Sequence, residues 1–357
     1  MGDFRSYLHT KRVPAVPMQP VVDPAGWSAD ALKDVSTWSY RLSGSDVAEL
    51  ADGVAAVRRA GISIVDVARE NFPLKKFADT LQDVRKELTD GRGVVMLQGF
   101  PVTELDQEAR GIAYLGLGGY LGRTMPQNKQ AHILGHVKDL GGDYSDPNTR
   151  GYLTRAEMRF HTDPAEYVGL LCLQTAKSGG ASRISSSVSV YNKMLERRPD
   201  LVQLLIEDWY STKSGEVDPG ELPYYKQSIF AFQDGYFSAS AIGAIVEKAQ
   251  GVPGVPLWTD AQKEAVKVYR ETVAECAVDI PFEQGDVQFL NNHVMLHTRR
   301  AYEDWPEEDR KRHLLRLWLF DPESRPIPQG KRDGRQGRGV VLKGVKFIAP
   351  LDVHAAA

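Results

Sequence analysis

Cysteine, net charge and long apolar runs are all scarce in this sequence of 357 residues. Its two cysteines, Cys172 and Cys276, are too few for the disulfide framework of a secreted scaffold and fit a reducing compartment. Lys and Arg total 44 against 47 Asp and Glu, a balance that argues against a general role on nucleic acid or on a membrane surface. No apolar run approaches the length that crosses a bilayer, and the N-terminal residues lack the apolar core of a secretory signal. We therefore expect a cytoplasmic protein without a nucleic-acid or membrane partner, with a homo-oligomer left open.

A dinucleotide-binding fingerprint is also absent. The stretch YLGLGGYLG (114–122) has Leu121 in the place of the third glycine, and no strand leads directly into Gly116. We interpret this stretch as the glycine-rich end of a helix.

The first part of the chain is predicted to be helical and the remainder rich in strands. Residues 1–45 form an extended lead-in, and helices are predicted at about 45–61, 74–88 and 104–122. A core at 90–325 contains a strand at 94–97 and further helices near 189–211 and 260–276. Its later strands are HILGHV, MRFHTD, YVGLLCLQTA, SIFAF, CAVDIPF, DVQFL, HVMLHT and HLLRLWLF. Strands without βαβ alternation predict an antiparallel sandwich or jelly roll within a single domain (1–357).

Two polar segments carry no clear secondary-structure pattern. The stretch 139–154 is rich in turn-forming residues and is either a plain connection or a lid over a pocket. The basic, glycine-rich stretch GKRDGRQGRG (330–339) lies in the C-terminal tail (326–357), and we expect it to be an exposed, mobile loop.

Two potential metal ligands stand two residues apart in the segment MRFHTDP. On a strand, His161 and Asp163 would project from the same face, so both side chains could reach one ion. Met158 and Phe160 favour a strand here, and Pro164 then ends regular pairing. A His-x-Asp pair by itself is more often a simple hydrogen-bonded pair, so a metal site requires a third ligand from another segment.

His297, in NNHVMLHTRR, is the best candidate for that third ligand. The sequence around it predicts a hairpin, in which Asp286–Leu290 and Val294–His297 flank two asparagines. Two imidazoles and one carboxylate form the facial arrangement suited to iron(II), with three neighbouring positions open for a co-substrate and oxygen. His293 could share an ion with His297 only on a helix, which its neighbours disfavour. The competing histidines within the core are His132, His136, His293 and His313.

Taken together, these segments resemble the taurine dioxygenase (TauD/TfdA) family of Fe(II)- and 2-oxoglutarate-dependent oxygenases. The similarity runs from about Val94 to Phe320 and rests on four pieces: MRFHTD, the SGGAS turn at 178–182, GDVQFLNNHVMLHTR at 285–299, and RHLLRLWL at 312–319. The resemblance implies an α+β fold that is mainly β, with a double-stranded β-helix (jelly-roll) core flanked by helices. It also implies that His161, Asp163 and His297 bind the iron.

The resemblance further implies residues that bind the co-substrate 2-oxoglutarate. Arg312 falls where the family places the arginine that binds the far carboxylate, and a planar guanidinium suits that group. The alternation of Arg312, Leu314, Arg316 and Trp318 along a strand favours a pocket wall over a charged surface run. Ser182 stands where the family usually has threonine. It keeps the hydroxyl, so we expect it to support the same carboxylate.

Arg316 matches a family arginine that contacts the acidic group of the substrate, which implies a small anionic substrate such as an amino acid or organic acid. The alternative is a structural ion pair with an acid such as Asp286. The implied reaction uses iron(II), O2 and 2-oxoglutarate, releases succinate and CO2, and hydroxylates an unactivated carbon.

Other outcomes remain open at the level of the sequence. The same oxidant serves desaturation, cyclisation and oxidative cleavage, which differ in how the substrate is positioned. The presence of Asp163 argues against the halogenating members, which replace this carboxylate with a small residue. A non-redox jelly-roll metal-binding protein and a zinc hydrolase are the alternatives from other classes, and neither requires Arg312.

Overall fold

A computed structural model describes residues 4–7, 11–142, 154–215, 217–341 and 343–352. Most of the segment predicted as a connection or lid, residues 143–153, lies outside the described residues. The α-helices of the described part are α1 (Gly44–Arg59), α2 (Lys76–Asp90), α3 (Gln107–Gly119), α4 (Ser187–Arg197), α5 (Pro199–Ile206), α6 (Ala244–Lys248), α7 (Asp260–Glu275) and α8 (Gln329–Asp333). Its strands are β1 (Ser39–Arg41), β2 (Val94–Gln98), β3 (Arg123–Thr124), β4 (Gly135–Lys138), β5 (Tyr167–Gln174), β6 (Ser178–Gly179), β7 (Ser182–Ser186), β8 (Asp208–Thr212), β9 (Tyr224–Ser228), β10 (Phe230–Gln233), β11 (Tyr236–Ala239), β12 (Ala277–Ile280), β13 (Val287–Asn291), β14 (Met295–Arg299), β15 (Tyr302–Glu303) and β16 (His313–Phe320).

Side-chain caps define where the main helices begin. At the start of α1, the Ser43 hydroxyl accepts a hydrogen bond from the Asp46 N–H, and the Asp46 carboxylate accepts one from the Ser43 N–H. Thr259 and Gln262 form the same reciprocal capping box at α7, as the sequence predicts. Of the described helices, none combines the length and the apolar character needed to cross a bilayer.

The larger sheet has seven strands in the order β1-β2-β13-β5-β16-β3, with β4 also paired to β16. Neighbouring strands are antiparallel, except for β1 and β2. Both faces are buried. On β2, Val95 and Leu97 pack against helices α1–α3, whereas Val94 and Met96 face a second core on the other side.

The smaller sheet has the order β12-β7-β14, and the backbone of His161 pairs with His297 at its edge. Apolar residues of this sheet and of helices α4, α5 and α7 build the second core, which the opposite face of the larger sheet completes. Two mainly antiparallel sheets that face each other across a core, with helices outside, confirm the predicted fold class: a jelly roll flanked by helices.

The hairpin predicted at residues 286–297 is wrong. β13 pairs with β2 and β5 in the larger sheet, whereas β14 pairs with β7 in the smaller sheet. The intervening turn carries the chain between the sheets, and Asn291 stabilises it by accepting from the His293 N–H at 2.8 Å and donating to Leu88 O at 2.9 Å. An alternating apolar pattern predicts a strand but not the sheet to which it belongs, because the inward faces of both sheets have the same pattern.

The segment 330–339 is packed against the protein, although the sequence predicts an exposed, mobile loop. Three of its side chains are buried: Lys331, Arg335 and Gln336. A Cβ on Gly330 would lie 2.6 Å from Lys226 O, and one on Gly334 would lie 2.5 Å from the Tyr225 ring. The glycines therefore reflect close approach to β9 and not mobility.

Candidate metal centre and substrate cavity

The three predicted metal ligands lie together. His161, Asp163 and His297 each offer a ligand atom within 4.8 Å of the others. The two ring centroids are 4.2 Å apart, and His297 Nε2 is 3.7 Å from Asp163 Oδ2. In the described part of the chain, no second group of three His, Cys, Asp or Glu side chains clusters in this way. Three ligand atoms at these separations can all bind a single ion, with metal–ligand distances of about 2.0–2.2 Å.

Backbone hydrogen bonds hold the two histidines opposite each other. The His161 N–H donates to His297 O at 2.9 Å, and the His297 N–H donates to His161 O at 3.0 Å. This is an isolated bridge, so the strand predicted around His161 does not form. The chain turns instead at Asp163, whose carbonyl accepts from the Ala165 N–H at 2.8 Å, and Pro164 has no N–H to continue a ladder.

Two further hydrogen bonds orient the ligands. His161 Nδ1 lies 3.0 Å from Arg159 O. Because a carbonyl can only accept, Nδ1 carries the proton and Nε2 keeps its lone pair for a metal. The Asp163 N–H donates to Asn292 Oδ1 at 3.0 Å, which ties this ligand to the turn between β13 and β14. The crossover between the sheets therefore helps to assemble the centre.

The cluster carries the protonation states that metal ligands need. Burial, reinforced by His297, lowers the pKa of His161 to about 4. Burial by itself would raise the pKa of Asp163, but Arg316 and the two histidines outweigh it and hold that pKa well below its usual range. Asp163 Oδ2 is buried and accepts no hydrogen bond from the described residues. A buried carboxylate oxygen without a hydrogen-bond donor, beside two imidazoles, fits a divalent cation.

The competing histidines have other partners. The His293 ring is fully buried and contacts Ser238 Oγ at 2.9 Å and Gln336 Nε2 at 3.0 Å. His136 and His313 contact each other at 2.8 Å. His132, like these three, lies outside the cluster of three ligands.

Arg312 lies beside the predicted glycine turn. Its residue is 4% exposed, Nη2 donates to Gly180 O at 3.3 Å, and Nη1 is buried without a hydrogen-bond partner among the described residues. Gly180 has a φ of +73°, and a Cβ there would lie 3.0 Å from Arg312 Nε. Ser182, two residues further on, donates from Oγ to Gln288 Oε1 at 2.8 Å. A buried guanidinium with an unused donor fits an anionic ligand.

Sequence reasoning missed a second buried arginine, Arg299. It pairs in register with Ser182 and stands two residues after His297, so its side chain shares the inner face of the smaller sheet. Its guanidinium carbon lies 4.7 Å from the Tyr302 ring centroid, and that of Arg312 lies 5.2 Å from the same centroid. The two-residue spacing from His297 was the available signal, but the basic run in which Arg299 stands resembles an exposed surface.

Arg316, in the middle of β16, lies beside the metal cluster. Its Nη1 is 3.6 Å from Asp163 Oδ1, and its Nε donates to Gln127 Oε1 at 2.8 Å. The neighbouring carboxylate is therefore Asp163 and not Asp286, whose Oδ2 accepts from the Glu283 N–H.

A cavity of about 400 Å³ opens from this cluster. The residues that line it include His161, Asp163, Arg316 and Trp318. Arg316 and Trp318 lie on the same face of β16, as their spacing of two residues predicts. The Arg316 guanidinium carbon is 4.9 Å from the Trp318 ring centroid. Arg312 and Ser182 are not among the residues that line this cavity.

A jelly roll with a buried His-x-Asp…His cluster defines the class of non-haem iron oxygenases. The chain belongs to the family described as taurine catabolism dioxygenase TauD, TfdA family, whose sequence model matches residues 57–318. The resemblance seen in the sequence is thereby confirmed. The protein is a non-haem iron, 2-oxoglutarate-dependent dioxygenase.

Two relatives cover most of the chain. FR-33289 synthase of Streptomyces rubellomurinus (strain ATCC 31215) is 28% identical over 331 residues, which are 91% of this chain and 97% of that protein. The taurine hydroxylase-like protein SAT17 of Stachybotrys chartarum (strain CBS 109288 / IBT 7711) is 27% identical over 314 residues, which are 84% of this chain and 80% of that protein.

Solved structures share the fold at lower identity. Asparagine oxygenase in complex with Fe(II), 2S,3S-3-hydroxyasparagine and succinate matches with a TM-score of 0.60 and 17% identity, over 79% of this chain and 93% of that one. The non-haem iron oxygenase OrfP in complex with Fe and alpha-ketoglutaric acid matches with a TM-score of 0.58 and 14% identity, over 79% of this chain and 93% of that one.

Proposed function

We propose that this enzyme hydroxylates an unactivated carbon of a small anionic substrate, an amino acid or an organic acid, with iron(II) bound by His161, Asp163 and His297. The observation that carries the proposal is the buried Asp163 Oδ2, which accepts no hydrogen bond from the described residues and lies beside two imidazoles in the wall of a cavity. Iron, O2 and 2-oxoglutarate would supply the oxidant: one oxygen atom of O2 converts the substrate C–H to C–OH, and the other enters succinate as 2-oxoglutarate loses CO2.

The residues of the chain orient the proposed metal ligands and keep water away from them. His161 presents Nε2 because Arg159 O holds its other nitrogen, and Asn292 fixes the backbone of Asp163. Trp318 supplies an apolar wall beside the cluster and keeps bulk water from the reacting carbon.

Arg312 and Ser182 are proposed to bind the far carboxylate of 2-oxoglutarate. The unpartnered Nη1 of Arg312 supports this role, because a buried charged donor is costly unless a ligand accepts from it. Arg299 reaches the same Tyr302 ring and adds positive charge to the site. Two guanidinium groups around one ring make this region suited to a carboxylate.

Arg316 is proposed to bind the acidic group of the substrate. It lines the cavity next to Asp163, and its guanidinium stays charged at any physiological pH. The hydroxyasparagine and hydroxy-L-Arg in the complexes of asparagine oxygenase and OrfP are amino acids, which supports an amino acid here. We also propose a cytoplasmic location, because both cysteines are free, buried thiols. Assembly into a homo-oligomer is a further proposal.

The test is succinate release from the iron-loaded protein with 2-oxoglutarate and a panel of amino acids and small organic acids. We expect stoichiometric, O2-dependent succinate with at least one acidic compound and a product heavier by one oxygen. Binding of 2-oxoglutarate to the metal-loaded protein, measured by calorimetry without O2, is the second readout. Absence of both 2-oxoglutarate binding and succinate would contradict the proposal.

A further inference from the structure

The cavity has a second polar end, which the proposed reaction does not use. Residues of β9 and of the segment after α8 line it, among them Tyr225, Arg335 and Gln336. The family's sequence model ends at residue 318, so the segment after α8 lies outside the region that defines the family. It is therefore a place where this chain can carry a feature of its own.

Polar side chains lead from the metal cluster towards this end. Gly243 lies at the metal end, where a Cβ would be 3.6 Å from His161 Cβ. Further along, Ser240 Oγ donates to Gln227 Oε1 at 3.0 Å, and Gln227 Nε2 donates to Tyr225 Oη at 3.4 Å. All five residues line the one cavity. A single elongated ligand can therefore contact both ends.

Arg335 has two features that a surface arginine does not need. Its φ is +76°, in the left-handed region that non-glycine residues rarely adopt, and its residue is only 6% exposed. The neighbouring backbone imposes this conformation, since the Gly339 N–H donates to Arg335 O and the Gln336 N–H donates to Lys331 O, both at 3.0 Å. The end of α8 therefore accounts for the left-handed backbone, and the burial of Arg335 in the cavity wall is the feature that points to a ligand.

Lys331, the other buried cation of this segment, has a structural role. Its Nζ donates to Ala239 O at 2.6 Å and to Asn292 O at 3.4 Å. Burial lowers the pKa of Lys331 to about 7, with Glu166 opposing the effect. This lysine fixes the cavity wall to the turn that carries Asn292.

We propose that Arg335 forms a second oxyanion subsite, which binds a carboxylate or phosphate group at the end of the substrate remote from the metal. The inference rests on the proposed function, since it concerns the same cavity. A guanidinium fork binds either group through two parallel hydrogen bonds. Lys213 also lines the cavity, but its Nζ is paired with Glu221 at 3.2 Å. Burial lowers the pKa of Arg335, and Glu221 opposes that shift. With Arg316 at the inner end, the substrate is an elongated molecule that carries an acidic group at each end.

Inorganic phosphate is the probe for this subsite. The full-length protein, saturated with Zn(II) and 2-oxoglutarate, is titrated with phosphate by calorimetry. We expect Arg335→Gln to weaken phosphate binding by roughly 10- to 100-fold, the usual effect of losing a charge-assisted fork. Arg332→Gln removes the same charge from an exposed position of the same segment and should stay within about twofold of the wild type.

Arg335→Gly is the second variant, because glycine adopts the left-handed backbone without strain. It should lose phosphate binding without the backbone strain that glutamine keeps, so it tests the subsite even where the glutamine variant fails to fold. Unchanged phosphate affinity in Arg335→Gly, or an equal loss in Arg332→Gln, would overturn the proposal. Normal 2-oxoglutarate binding in those samples would show that the proposed function stands and that only the subsite has failed.

Discussion

Arg316 lies beside the metal cluster, with its Nη1 3.6 Å from Oδ1 of the proposed ligand Asp163. The guanidinium is the main favourable influence on the charged form of this carboxylate, whose pKa lies well below its usual range although burial opposes that shift. The same side chain lines the cavity. Arg316 therefore connects a proposed metal ligand to the proposed substrate position.

Arg316→Gln tests this connection. We expect KM for the acidic substrate to rise by about tenfold or more, because one charge-assisted hydrogen bond is lost. Consumption of 2-oxoglutarate without substrate should stay largely intact, since Arg312, and not Arg316, is proposed to bind the co-substrate. Arg338→Gln, at an exposed position, is the matched control. An unchanged KM, or efficient turnover of a neutral substrate, would contradict the substrate assignment.

Removal of a proposed metal ligand should abolish both turnover and iron binding. His161→Ala, Asp163→Ala and His297→Ala each leave two ligands, and we expect iron retention after gel filtration to fall at least about tenfold. His132→Ala is the control, because this histidine lies outside the cluster and contacts Asn128. Metal content by elemental analysis is the readout. Full iron retention in the His297 variant would show that the third ligand is a different residue.

Arg312→Leu should raise the dissociation constant of 2-oxoglutarate by roughly 10- to 100-fold and leave iron affinity unchanged, because the residue contacts no proposed metal ligand. Ser182→Ala should act in the same direction but more mildly. Arg310→Leu, two residues away and exposed, is the matched control. Calorimetry with the metal-loaded protein in the absence of O2 measures each value. An unchanged affinity in Arg312→Leu would move the co-substrate site elsewhere.

Gly180→Ala should impair the same site indirectly. The new Cβ would lie 3.0 Å from Arg312 Nε at a φ of +73°, so either the turn or the guanidinium must shift. We expect a loss of about 1–3 kcal/mol in the free energy of unfolding together with weaker 2-oxoglutarate binding. Gly44→Ala is the control, because its Cβ would meet nothing within 4 Å. Identical melting temperatures for both variants would contradict the packing argument.

The sequence predicted the proposed ligands because they form a local motif with a spacing of two and a distant partner in an apolar strand. It did not predict that β13 and β14 belong to different sheets, because that depends on pairing with β2, β5 and β7, which are remote in the chain. The division into one domain with a lead-in and a tail stays a prediction.

The packing of the segment 330–339 is a second feature that could not be predicted from the sequence. Its basic, glycine-rich composition is typical of mobile loops, and no local pattern reveals that Lys331 and Arg335 are buried. Their burial depends on the fit of Gly330 and Gly334 against β9, which only the assembled fold shows. Arg299 was missed for a similar reason, since burial of a charged side chain depends on tertiary partners.

The pair His136–His313 predicts acid sensitivity away from the metal cluster. His136 Nε2 contacts Pro350 O at 2.8 Å and therefore carries a proton, which leaves Nδ1 to accept from His313 Nε2 at 2.8 Å. Burial, followed by the charge of His136, lowers the pKa of His313 to about 3. Burial likewise lowers the pKa of His136. The folded protein therefore keeps the pair neutral.

The unfolded chain binds a proton at each histidine near pH 6.5, whereas folded His313 does so only near pH 3. Between these values the unfolded state binds more protons, so the free energy of unfolding falls as the pH falls. From pH 7 to pH 5 we expect His313 to account for about 2 kcal/mol of that loss. His313→Gln, which keeps a hydrogen-bond donor for His136, should lose correspondingly less over the same range. Urea unfolding of both proteins at pH 7, 6 and 5 measures the difference, and parallel losses in the two proteins would show that this pair does not control acid stability.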